Sequence, residues 1–355
     1  MPSPAHEIPP GIGSLRRLEE WLAAQVTGVT VSVDEIRLIA GGRSNLTYYL
    51  RAGTSELVLR RPPLGHVLPT AHDMSREFRV ISALRDTDVP VARPVAYCAE
   101  REVIGAPFYL MGYVDGQVLR GREQAEKLLN PAQAGQLSGE LATMMARIHT
   151  VNVNQIGLSD LGRGRGFMRR QLDRWQKQWE LSRTRDVPRY DELVTRLTRD
   201  LPPDQDEQIT LVHGDYRLDN ALVSVGNGGD GGDGGDPKIA AVVDWEMATL
   251  GDPLADLGLT LIYWTEAGEA GYGADATTAA GFWTRQQFTD AYAAQTGRDV
   301  SGISYYMAFA YFKLAVVLEG INARYLKNQT VGDNFDREGA AVPLLIARAH
   351  DSLTS

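Results

Sequence analysis

Between positions 14 and 26, Leu15, Leu18, Trp21 and Leu22 recur at the spacing of one helical face, with Ser14 placed to cap the first turn. Three segments of strand character follow, 35–40, 46–51 and 56–61, divided by the turn formers Gly41-Gly42 and Gly53. Helical spacing returns over 72–84, where Phe78, Ile81 and Leu84 share a face and Asp73 sits near the start. Two extended runs, 94–98 and 107–113, complete an expected small sheet around that helix. Asp115-Gly116 interrupts the pattern, which divides the chain into expected lobes of 1–114 and 115–355.

Helices dominate the second part. Asn130-Pro131 reads as a cap followed by proline at the first helical position. The helix it opens carries a stripe of Leu137, Leu141, Met144, Met145 and Ile148. Another helical pattern covers 167–181, then come short strands, and further helices are expected near 252–266, 283–295 and 305–325. The low-complexity segment 226–236, GNGGDGGDGGD, cannot pack a core and is expected to be a mobile surface loop.

Composition narrows the class of protein. Hydrophobic residues make up 43% and charged residues 23% of 355, the balance of a globular protein large enough for two lobes. No apolar run reaches the roughly 18–20 residues that cross a bilayer, so no membrane role is expected. The N-terminus lacks a basic stretch followed by an apolar one, and Cys98 is the single cysteine. Together these point to a reduced, cytoplasmic setting without disulfides or a cysteine metal site. Residues 1–110 carry 12 basic and 12 acidic side chains, whereas the remainder carries 24 against 33 and holds the whole net charge of −9. That balance disfavours nucleic acid as a partner and leaves a small-molecule substrate.

The chemistry concentrates in 211–258. Asp215, Asn220 and Asp244 lie among apolar, strand-like runs, and 221–225 and 238–243 read as an antiparallel hairpin joined by the glycine-rich segment. The hairpin would return the chain to its start, so Asn220 and Asp244 are expected close together despite 24 positions of separation. An amide oxygen and a carboxylate there would suit magnesium carrying phosphates. Asp215, five residues before Asn220 on a loop tightened by His213-Gly214, could take the proton of a substrate hydroxyl.

His213-Gly214-Asp215 with Asn220, then Asp244, resembles the catalytic and metal-binding motifs of aminoglycoside phosphotransferases and choline-kinase-like enzymes. The resemblance spans nearly the whole chain. It implies an α+β, bilobal protein-kinase-like fold, with a small mixed β-sheet in the first lobe and a mainly helical second lobe. It also implies an ATP- and Mg²⁺-dependent kinase acting on a small-molecule hydroxyl. Gly41, Gly42, Ser44 and Asn45 fall where such enzymes cover ATP, and Glu77 where a helix supplies the carboxylate that orients a cation. Met111 and Tyr113 fall where the lobe connection meets adenine, and Arg217 where a cation reaches the transferring phosphate or has a structural role. His213 is expected to pack structurally, Asp256 to brace the loop, and His149 to be an interior histidine.

One residue departs from the pattern. These enzymes place a lysine on the third strand, yet the first lysine here is Lys127, and Arg60 occupies the matching place. Arginine keeps the charge and can pair with phosphate or Glu77, which favours a working enzyme over a non-catalytic nucleotide-binding module. The segment 57–84 is similar to phosphotransferase domains associated with acyl-CoA dehydrogenases. That similarity implies a hydroxyacyl acceptor, as its coenzyme A thioester, with Arg163, Arg165, Arg169 and Arg170 as candidate phosphate contacts. An aminoglycoside or amino alcohol is the alternative acceptor.

Overall fold

The computed structural model describes residues 8–26, 32–39, 45–64, 72–203, 209–226, 235–269, 271, 274–327 and 338–354. Gly41, Gly42, Ser44 and most of the 226–236 segment lie outside the described residues. The chain forms two compact units. The first comprises 1–117, 221–224 and 239–248, and the second 118–220, 225–238 and 249–355.

The first unit opens with α1 (Leu15–Gln25), β1 (Glu35–Leu38), β2 (Leu46–Ala52) and β3 (Ser55–Arg61). It continues with α2 (Met74–Leu84), β4 (Pro94–Cys98), α3 (Arg101–Ile104) and β5 (Phe108–Gly112). The five strands pair antiparallel in the order β1-β2-β3-β5-β4. Leu18, Trp21, Leu22, Leu50, Leu59, Phe108 and Leu110 are among the buried side chains of its core. Ser14 caps α1 by accepting from the Arg17 amide, and Asp73 caps α2 by accepting from the amides of Ser75 and Arg76. The buried face of α2 carries Met74, Glu77, Val80, Ile81 and Leu84, so a carboxylate occupies a position that helical spacing assigns to the core.

Beyond β5 come α4 (Arg122–Leu128), α5 (Pro131–Thr150), α6 (Phe167–Ser182) and α7 (Tyr190–Arg199). Four short strands follow: β6 (Thr210–Val212), β7 (Ala221–Val225), β8 (Pro237–Val242) and β9 (Thr249–Gly251). The remaining helices are α8 (Pro253–Tyr263), α9 (Arg285–Thr296), α10 (Ile303–Leu326) and α11 (Glu338–Ser352). β7 pairs with β8, and β6 pairs antiparallel with β9. The helix α7, absent from the sequence reading, buries Tyr190, Leu193 and Leu197 at helical spacing. α5 begins as expected, with Asn130 and Gln133 forming a reciprocal capping box and Pro131 inside the first turn.

The second unit is organised around α10, whose buried residues surround most of its circumference. α8 packs closely on it at Gly258, where an added Cβ would meet the Tyr306 carbonyl carbon at 2.7 Å. The first turn of α8 also carries Asp256, which accepts from the amides of His213 and Gly214 at the start of the loop that follows β6.

Candidate active site

In the first unit, β3, α2 and the turn after β8 bring four charged side chains together. Arg60 pairs across the sheet with Thr47 and Tyr109 and is 9% exposed. Its Nε donates to Glu77 Oε2 at 3.1 Å and its Nη2 to Asp244 Oδ1 at 2.5 Å. The other Glu77 oxygen accepts from the Trp245 backbone amide at 3.2 Å. Burial alone would lower the Arg60 pKa, but Glu77, Tyr109, Asp244 and Glu246 more than reverse it, leaving the guanidinium firmly charged. Burial raises Glu77 to about 7, beyond what Arg60 can offset, with Asp244 and Glu246 adding to the rise.

Asp244 adopts φ 68° and ψ 60°, the left-handed region that a residue with a Cβ seldom occupies. Such strain persists only where the surroundings over-determine it, and it clusters at functional sites. The neighbouring Glu246 accepts from Asn45 Nδ2 at 2.8 Å and faces His72 Nδ1 at 3.4 Å. Asn45 is 1% exposed, and its Oδ1 has no hydrogen-bond partner among the described residues. Farther along β5 from Tyr109, Met111 is half-buried, and Tyr113 just beyond the strand is exposed, its ring edge-on to Tyr49 at 5.3 Å.

The second unit holds Asp215, Arg217 and Asn220. Gly214, at φ +84°, turns the chain sharply after β6. Asp256 in the first turn of α8 accepts from the amides of His213 and Gly214, each at 2.8 Å, which fixes the start of this loop. The same carboxylate meets His149 Nε2 at 3.2 Å, while His149 Nδ1 lies 2.8 Å from the Tyr292 hydroxyl. Burial would raise the Asp256 pKa, but the bonds from His149 and the charges and amides around it hold it below the ordinary value. His149 and His213 are both almost fully buried, so they sit in the frame of the site. The bracing role expected of Asp256 is thus visible as three hydrogen bonds.

At the other end of the loop, Asn220 Nδ2 donates to the Asp215 carbonyl at 2.8 Å and to its Oδ2 at 3.0 Å. With the amide nitrogen so committed, Asn220 presents its oxygen as the remaining donor atom to a metal. Asp244, in the first unit, likewise offers hard carboxylate oxygen. Oxygen donors of this kind are the type that a hard cation such as magnesium takes.

Arg217 forms a two-pronged ion pair with Asp219 and lies over the Tyr263 ring at 4.5 Å. Burial would lower its pKa, but Asp219, Asp215 and Tyr263 raise it, so it remains a cation. Periodicity offered no signal for Asp219 and Tyr263, because one lies in a short turn and the other at a helix end. Arg217, Asp219, Thr260, Tyr263 and Thr277 contribute to the lining of a small cavity in this unit. Of the four arginines suggested for coenzyme A, all are exposed, and Arg170 bonds the carbonyls of Arg163 and Arg165.

Comparison with known proteins identifies the frame that carries these residues. Residues 35–292 match the phosphotransferase enzyme family. The chain belongs to that family. Over 338 residues it is 32% identical to chicken acyl-CoA dehydrogenase family member 11, covering 90% of the chain and 42% of the relative. The chain therefore spans about two-fifths of that relative's length. A solved Ralstonia eutropha protein assigned as an aminoglycoside phosphotransferase is 31% identical, with TM-score 0.81 over 96% of this chain and 98% of its own. A thermostable aminoglycoside phosphotransferase mutant in complex with ADP and hygromycin B is 15% identical, with TM-score 0.58 over 95% of this chain and 98% of its own, and shares the fold. The α+β kinase-like fold, with its five-stranded antiparallel sheet and mainly helical remainder, is that of the family. Among the described residues, no helix is long and apolar enough to cross a membrane.

Proposed function

We propose that this phosphotransferase moves the γ-phosphoryl group of ATP to the hydroxyl of a small molecule, with Asp215 as the base. The observation that carries the reading is Asp215 on a loop anchored at both ends, by Asp256 and by Asn220. A base held in this way can meet an acceptor hydroxyl without reorganising. The hydroxyl oxygen attacks the γ-phosphorus, its proton passes to the Asp215 carboxylate, and the bond from phosphorus to the bridging oxygen breaks to release ADP. Asn220 and Asp244 would hold Mg²⁺, which neutralises phosphate charge when bound. Arg60 would reach the nucleotide phosphates while Glu77 orients it, and Gly41, Gly42, Ser44 and Asn45 would cover them. Met111 and Tyr113 would meet the adenine. Arg217, held by Asp219, would face the transferring group.

Of the acceptor classes, a hydroxyacyl group as its coenzyme A thioester is preferred, supported by the likeness to acyl-CoA dehydrogenase family members at 32% identity. The Ralstonia likeness at 31% identity keeps an aminoglycoside or amino alcohol as the second reading. The test measures ATP consumption with a hydroxyacyl-CoA series, kanamycin and choline. Turnover of hydroxyacyl-CoA that is lost in Asp215→Ala, with MgATP binding kept, is the expected result. Removal of the base costs on the order of 10²–10⁴ in rate. Wild-type turnover by Asp215→Ala would remove the assignment, and turnover confined to kanamycin or choline would select the second acceptor class.

A further inference from the structure

In the second unit, α6 and α10 bring together donors that have no acceptor among the described residues, within reach of the Asp215 charge. Lys313, on α10, is partly buried, and no described residue forms a hydrogen bond or ion pair with its ammonium. Its Nζ stands 5.7 Å from the centre of the Trp175 ring, on α6, and the Arg174 guanidinium lies 5.4 Å from the same ring. Trp175 is 9% exposed, and its Nε1 is buried without a hydrogen-bond partner among the described residues. Burial pulls the Lys313 pKa below the ordinary lysine value, with Asp215 and Asp256 opposing the fall and Arg174 adding to it. The catalytic carboxylate and the ammonium therefore feel one another's charge.

A buried indole N–H without an acceptor forfeits about 1–3 kcal/mol, and a half-buried ammonium without a counterion adds to that cost. Such an arrangement is retained where a ligand supplies the missing oxygen. Ring contacts with Trp175 offset part of the cost for Lys313 but give the indole nitrogen nothing. Glu319 on the same helix shows the contrast, since Thr184 and Arg185 satisfy its buried carboxylate.

We propose that Lys313 and the Trp175 indole form the acceptor-side oxygen subsite, which takes the carbonyl oxygen of an acyl acceptor and so positions its hydroxyl at Asp215. This rests on the phosphotransferase reading above and deepens it by assigning the residues that select the acceptor. Lys313 is the charged donor and Trp175 Nε1 the neutral one. A cationic acceptor would meet the Lys313 ammonium and the Arg174 guanidinium here, so these two cations discriminate against aminoglycosides and amino alcohols.

The test separates this subsite from catalysis by using ligands that cannot react. Octanoyl-CoA carries the carbonyl oxygen, and octyl-CoA, its thioether, lacks it. Calorimetric titration of both into the wild-type chain should show tighter binding of octanoyl-CoA, roughly tenfold or more for a bond to a charged donor. In Lys313→Met most of that preference should be lost while the octyl-CoA and MgATP affinities stay unchanged. Trp175→Phe keeps an aromatic face of smaller size, removes the N–H, and should lose part of the preference, which covers a Lys313→Met protein that does not fold. An undiminished carbonyl preference in both variants overturns the proposal, as does a loss in Lys313→Met that falls on MgATP instead. Wild-type turnover of hydroxyacyl-CoA reports on the phosphotransferase reading alone, so the two fail separately.

Discussion

Replacing Asp256 by alanine tests whether the loop carrying Asp215 is held from beneath by α8. The side chain is 3% exposed and accepts the amides of His213 and Gly214, each at 2.8 Å, besides meeting His149. Alanine leaves both amides inside without an acceptor. Bonds to a charged group contribute about 1.5–3 kcal/mol each, so the two amides together set a loss of about 3–6 kcal/mol. Native stability is typically only about 5–15 kcal/mol, so this is a large fraction of it. Asp256→Asn keeps one acceptor oxygen and should lose about half as much. Urea unfolding of the three proteins, followed by circular dichroism, measures the differences. The surviving folded fraction of Asp256→Asn should show reduced kcat, because a shift of about 1 Å in a reacting group can cost on the order of 10² in rate. An Asp256→Ala protein that loses under about 1 kcal/mol and keeps its kcat would refute the bracing argument.

The advantage of the Asp256 carboxylate over an asparagine amide at that position should depend on pH. A depressed folded pKa contributes stability that is present above the ordinary value of 3.8 and is lost as pH falls through the folded value. The stability gap between wild type and Asp256→Asn should therefore narrow in acid, and a constant gap from neutral pH to acid would contradict the direction of the shift. Arg60→Lys should fold with a loss of about 1–3 kcal/mol, because one ammonium replaces a fork that bonds Glu77 and Asp244 separately. Arg60→Met should lose about 3–5 kcal/mol by leaving Glu77 buried without its cation, and equal denaturation midpoints would show that the pair is not structural. Asn220→Ala and Asp244→Ala should each weaken magnesium-dependent ATP binding; calorimetry in magnesium and in EDTA decides, and unchanged affinities in both would move the metal elsewhere.

Much of this protein was legible from spacing alone. Helical periodicity located α1, α2, α5, α6 and α10, because each buries one apolar stripe or most of its surface. Caps sharpened the starts: Ser14 and Asn130 both accept the amides their positions predict. The ordered set Asp215, Asn220 and Asp244 stood out because polar side chains inside strand-like runs have few purely structural uses. Periodicity passed over α7 and β9, whose apolar signal is brief, and it placed Phe78 on the core face of α2 where Glu77 is the more buried.

What the linear sequence determined is therefore the identity of the elements and the inventory of reactive groups, since local spacing and capping depend on neighbours a few residues away. The partners of those groups were decided by tertiary structure. Asp256 lies 43 positions from the His213 amide it accepts, and Arg60 lies 184 from Asp244. Nothing in local propensity encodes such pairings; they arise because buried charges and amides must be satisfied inside a packed interior. Lys313 and Trp175 were invisible for the same reason. Each reads as an ordinary helical residue, and only the packing of α10 against α6 shows donors left without acceptors among the described residues.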